Sequence, residues 1–128
     1  MAIRILIVDD NPTFMAAVRQ FLTSLPDAEV VGAAHNGREA MERAQALEPD
    51  LILLDIGMPE MNGLEAAQRM HQWEHPPYIV FLSMHSGQAY RDAARQAGAA
   101  GFIHKGDFVE ELPRLIDTLE GRQRQAQA

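Results

Sequence analysis

The run from Asp50 to Asp55, D-L-I-L-L-D, limits the fold more than any other stretch of this chain. Four consecutive apolar residues, Leu51 to Leu54, end abruptly at Asp55, and Gly57, Pro59 and Gly63 make the following segment rich in turn formers. A short unbroken apolar run bounded by turn residues is a strand buried on both faces, and such strands belong to parallel sheets covered by helices. Asp55 then stands at the carboxyl end of a central strand, the edge where open α/β sheets bind ligands.

Other strands repeat the pattern. Ile3 to Val8 is apolar except for Arg4 and closes on Asp9 and Asp10; Tyr78 to Leu82 closes on Ser83; Phe102 to His104 closes on Lys105. Glu29 to Ala34 is a weaker, Ala-rich strand suited to an edge. Helical spacing fills the gaps. Thr13 caps a first helix with Phe14, Ala17, Val18, Phe21, Leu22 and Leu25 on one face. Asn36 and Gly37 open a second, with Ala40, Met41, Ala44 and Leu47 inward. A third runs from Leu64 to about Trp73 and buries Leu64, Ala67 and either Met70 or His71. The fourth, Gln88 to Ala97, offers the core only Tyr90, Ala93, Ala94 and Ala97, so it is among the least stable elements. Asp107 caps the last, which carries Phe108, Leu112, Leu115, Ile116 and Leu119. Pro113 inside it implies either a late start near Leu112 or a kink. Residues 121–128 are polar and Gln-rich, a linker or a frayed end.

Five strands alternating with five helices make an α/β domain over residues 1–120, a doubly wound five-stranded parallel sheet of order 2-1-3-4-5. A chain of 128 residues can bury such a core without disulfides, and it has no cysteine, which suits the cytoplasm. The net charge of -7 argues against direct nucleic-acid binding, and no apolar run approaches the ~20 residues that cross a bilayer. Ten of the eleven basic residues are Arg; Lys105 is the sole lysine.

In that strand order the first, third, fourth and fifth strands are neighbours. Asp9, Asp10, Asp55, Ser83 and Lys105 therefore converge on one edge. Three carboxylates so close repel one another unless a cation joins them, and a hard divalent ion with oxygen ligands is the natural one. Mg²⁺, with Mn²⁺ as a substitute, would use Asp9, Asp10, Asp55 and the backbone carbonyl of Gly57. A carboxylate beside such an ion, a hydroxyl and an ammonium suits phosphoryl transfer, with Asp55 as nucleophile and an aspartyl phosphate as product. His85, two residues past Ser83, can tune water access, while His35, His71, His75 and His104 lack ligand spacing and take ordinary roles.

The segments I-L-I-V-D-D-N, L-L-D-I-G-M-P-E-M-N-G, F-L-S-M-H and G-F-I-H-K, in this order, resemble the receiver domain of two-component response regulators, a flavodoxin-like fold. The resemblance implies Asp55 as phosphoacceptor, Asp10 as direct metal ligand, Asp9 acting through metal-bound water, Ser83 as switch hydroxyl, Lys105 as phosphate-binding lysine and Phe102 as aromatic switch. It implies a histidine kinase or histidine phosphotransfer protein as donor, and a switch with self-phosphorylation and weak autophosphatase activity, not a metabolic enzyme. A homodimer through the fourth helix, fifth strand and fifth helix would follow, with DNA reached only through a separate helix-turn-helix output domain. A receiver-fold scaffold that is never phosphorylated is the alternative. The chain departs from the family at Gly106, where most receivers carry Pro, often after a cis bond; a trans bond is expected here because cis costs ~2.5–4 kcal/mol before a non-proline residue. The D-x-D of haloacid-dehalogenase-like phosphatases, the G-x-S-x-G of serine hydrolases and the G-x-G-x-x-G of dinucleotide-binding domains are all missing.

Overall fold

The computed structural model describes residues 2–56, 63–85 and 87–127. Strands β1 (Ile3–Val8), β2 (Ala28–Ala34), β3 (Leu51–Asp55), β4 (Tyr78–Ser83) and β5 (Gly101–His104) form one sheet. Its order is β2-β1-β3-β4-β5 and each neighbouring pair is parallel, the flavodoxin-like topology expected. Helices α1 (Pro12–Thr23), α2 (Gly37–Leu47), α3 (Gly63–His71), α4 (Gln88–Gln96) and α5 (Phe108–Gln127) cover it, and a 3₁₀ turn over Lys105–Asp107 joins β5 to α5.

Alternation along the strands sorts the apolar residues into two cores. Leu6, Val8, Ile52, Leu54, Ile79 and Phe81 face α2, α3 and α4, which answer with Ala40, Ala44, Ala66, Ala67, Met70 and Ala94. Ile5, Ile7, Leu51, Leu53, Val80 and Leu82 face α1 and α5, which answer with Met15, Val18, Leu22, Leu112, Ile116 and Leu119. The helices of the first face thus contribute mostly Ala to the core, and those of the second mostly larger side chains.

Several local expectations change. Asn11, not Thr13, caps α1: its side chain accepts from the N–H groups of Thr13 and Phe14, and Pro12 takes the first helical position, where its missing N–H is no loss. Met70, not His71, is the buried residue closing α3. Tyr90 stays 39% exposed and stacks on His85, so α4 buries only Ala94 within its span, and its Gly87 cap supplies no side-chain hydrogen bond. α5 neither starts late nor waits for an Asp107 cap. It follows the 3₁₀ turn directly and carries Pro113 inside. The carbonyl of Val109 loses its helical donor there, and Val109 is 53% exposed, where water can serve it. α5 also continues through 121–127, where Arg and Gln are good helix formers despite their polarity. The Lys105–Gly106 bond is trans.

Candidate phosphoryl-transfer site

The register of the sheet assembles the site. Val8 pairs with Leu54, and Asp55 with Leu82, so Asp9, Asp55 and Ser83 leave three adjacent strands at nearly the same level. Ser83 pairs with His104, which brings Lys105 to that level one strand further on.

Asp9 is fully buried and held on both oxygens. Its Oδ1 accepts the N–H of Asn11 at 2.8 Å, and its Oδ2 accepts Lys105 Nζ at 2.7 Å. The same ammonium lies 3.7 Å from Asp55 Oδ2, and both residues are largely shielded from water. Asp10 is exposed at the rim, and oxygens of Asp9, Asp10 and Asp55 lie within 4.8 Å of one another. An all-oxygen donor set of three carboxylates fits a hard divalent cation such as Mg²⁺ and is unsuited to a soft metal.

Ser83 is buried, and its Oγ accepts the N–H of His85 at 2.9 Å, leaving its hydroxyl proton to donate elsewhere. Gly63 opens α3 directly against the strand end: a Cβ there would lie 2.3 Å from the Asp55 carbonyl oxygen, so only glycine permits this approach. Phe102 is half-buried on β5 with the Arg91 guanidinium 5.0 Å from its ring centre. Gly57, the expected carbonyl ligand, lies outside the described residues, as do Met58, Pro59 and Met61. A cavity of about 430 Å³ beneath Trp73 and Tyr78 lies at the opposite edge of the sheet.

Two residues not singled out for this site belong to its surroundings. Phe14 on α1 places its ring 4.6 Å from Lys105 Nζ and packs edge-on against Phe108 of α5. His104 bonds the carbonyl of Met84 and the N–H of Gly106. Neither contact has a local signature, although Gly106 in place of the usual Pro hinted that the turn after Lys105 is held differently.

Comparison with known proteins agrees with this geometry. The family model of the response regulator receiver domain matches residues 5–117. The chain belongs to that family. This receiver is 39% identical over 112 residues to the nitrate/nitrite response regulator protein NarL of Escherichia coli (strain K12), covering 88% of this chain and 52% of that protein. It is 39% identical over 124 residues to a protein-glutamate methylesterase/protein-glutamine glutaminase of Geobacillus kaustophilus (strain HTA426), covering 94% of this chain but 35% of that protein. The receiver thus spans about half or a third of these relatives' length. Among solved structures, the signal receiver domain of the response regulator NarL from Mycobacterium tuberculosis superposes with a TM-score of 0.87 at 34% identity, covering 94% of this chain and 98% of that one. Among the described residues, no helix of this receiver is long and apolar enough to cross a membrane.

Proposed function

We propose that Asp55 is the phosphoacceptor of a two-component signalling switch, charged by a histidine kinase or a histidine phosphotransfer protein. The observation that carries this reading is the Lys105 ammonium poised between Asp9 at 2.7 Å and Asp55 at 3.7 Å, beside three carboxylates within 4.8 Å. An Asp55 carboxylate oxygen attacks phosphorus in line; the new O–P bond forms as the P–N bond to the donor imidazole breaks, and that imidazole takes up a proton. Lys105 turns its charge toward the phosphoryl oxygens, and the Ser83 hydroxyl donates to one of them. Asp9, Asp10 and Asp55 would hold Mg²⁺, with the Gly57 carbonyl as a further ligand, and the bound ion supplies positive charge against the phosphoryl oxygens. Water later attacks the acyl phosphate and restores Asp55, with His85 at the rim of the approach.

The output belongs to the same proposal. Donation from Ser83 to a phosphoryl oxygen draws in the segment before α4, and Phe102 turns inward behind it, biasing the surface of α4, β5 and α5 toward self-association or partner binding. Residues 1–120 act as the phosphoacceptor unit, with 121–128 as a polar tail or the start of a linker, and DNA is contacted only through a separate domain in a cytoplasmic regulator. Incubation with phosphoramidate and Mg²⁺, followed by intact-mass measurement, tests the chemistry. One phosphoryl group should add to the wild type and none to Asp55→Asn; labelling of that variant at the wild-type rate would overturn the assignment.

A further inference from the structure

His104 pairs with Ser83 in the β4–β5 register, and its ring makes two hydrogen bonds. The Gly106 N–H donates to Nδ1 at 3.1 Å, so Nδ1 is the bare nitrogen and the ring proton sits on Nε2. That Nε2–H donates to the Met84 carbonyl at 2.9 Å. Met84 directly follows Ser83, and Gly106 directly follows Lys105. One imidazole thus ties together the backbones leaving two side chains of the site.

We propose that His104 is a positioning residue for phosphoryl transfer, its ring fixing the backbone after Ser83 relative to the turn that carries Lys105; this rests on Asp55 being the phosphoacceptor. Gly106 is part of the device. Proline has no N–H to give Nδ1, and a Cβ at Gly106 would come to 3.1 Å from Nδ1 and 3.3 Å from Cε1. Glycine leaves the ring its place and supplies the donor that selects its tautomer.

The segment beyond Ser83 needs such an anchor. α4 lacks a side-chain cap and buries little besides Ala94, so it holds the chain before it weakly. The bond from His85 N–H to Ser83 Oγ is local and moves with the segment. The bond from His104 to Met84 spans 20 residues and ties the segment to the sheet. A hydroxyl displaced by about 1 Å from a phosphoryl oxygen loses much of its contribution to the rate.

The test is a double-mutant cycle on the phosphoramidate labelling rate with Mg²⁺, read by intact mass, with a thermal melt of each variant. His104→Asn keeps an acceptor for Gly106 but is too short to reach Met84. It should slow labelling about fivefold in the otherwise wild-type chain, and by no more than about twofold in the Ser83→Ala chain, because the lost bond acts through Ser83. Equal slowing in both chains, or none in the wild type, overturns the proposal. His104→Gln gives an independent arm if His104→Asn fails to fold. Its amide can still reach Met84 but leaves the Gly106 N–H without its acceptor, so half of the tie is lost and labelling should slow about threefold in the otherwise wild-type chain and hardly at all in the Ser83→Ala chain; no slowing in the former, or equal slowing in both, overturns the proposal. A wild type that takes no phosphoryl group would instead overturn the function of Asp55, a result the cycle separates from failure of His104.

Discussion

The ammonium of Lys105 rests over the face of Phe14, 4.6 Å from the ring centre, while it donates a hydrogen bond to the carboxylate of Asp9. The aromatic quadrupole attracts the charge where water is scarce, so α1 helps hold a side chain carried by the turn after β5. Phe14→Leu keeps apolar volume but removes the ring face. It should cost about 1 kcal/mol in chemical denaturation. Much of that cost should vanish in a Lys105→Met background; the remainder reports the edge-on contact of Phe14 with Phe108.

Lys105→Met should destabilise the metal-free protein by about 3 kcal/mol, because the buried Asp9 loses its cation. Adding Mg²⁺ should recover part of this, since a second cation can then offset the same carboxylate. Denaturant melts with and without Mg²⁺ measure both values, and a loss indifferent to Mg²⁺ would place the ion elsewhere.

Mg²⁺ bound only by the folded chain should raise its stability by ~1.4 kcal/mol at ten times the dissociation constant. Asp10 is the exposed member of the carboxylate cluster, so Asp10→Ala should fold normally and lose most of that increment. Melting curves of the two proteins across a Mg²⁺ series decide it.

Glu48 ends α2 in the left-handed region, at φ 49° and ψ 59°, and its N–H returns to the carbonyl of Ala44. An L-residue there carries strain of about 1 kcal/mol that glycine avoids. Glu48→Gly should therefore raise the denaturation midpoint, and its backbone carbonyl can still accept from the Arg4 guanidinium.

The sheet, its order and the edge where Asp9, Asp55, Ser83 and Lys105 gather were legible because unbroken apolar strands leave little choice of neighbours. Errors fell where two local rules compete. Thr13 and Asn11 both can cap, and Pro12 at the first helical position decides for Asn11. Polar composition suggested a linker or a frayed end over residues 121–128, yet Arg122 and Gln123 favour helix once α5 is docked on the sheet. Tyr90 reads as a core residue at helical spacing, but His85 offers its ring a stacking partner outside. What stayed hidden were contacts between residues far apart in sequence: Lys105 with Asp9 across 96 residues, and His104 with Met84 across 20. Spacing carries no information about such pairs until the strands are in register.

The approach of Gly63 to the Asp55 carbonyl leaves no room for a side chain. The first turn of α3 is thereby pinned against the end of β3, where the side chain of any other residue would have to push the two apart. A substitution at Gly63 would therefore shift the helix and the strand end against each other, and the backbone of Asp55 with them. The level at which that carboxylate leaves the sheet thus depends on one hydrogen atom standing where every other residue carries a carbon.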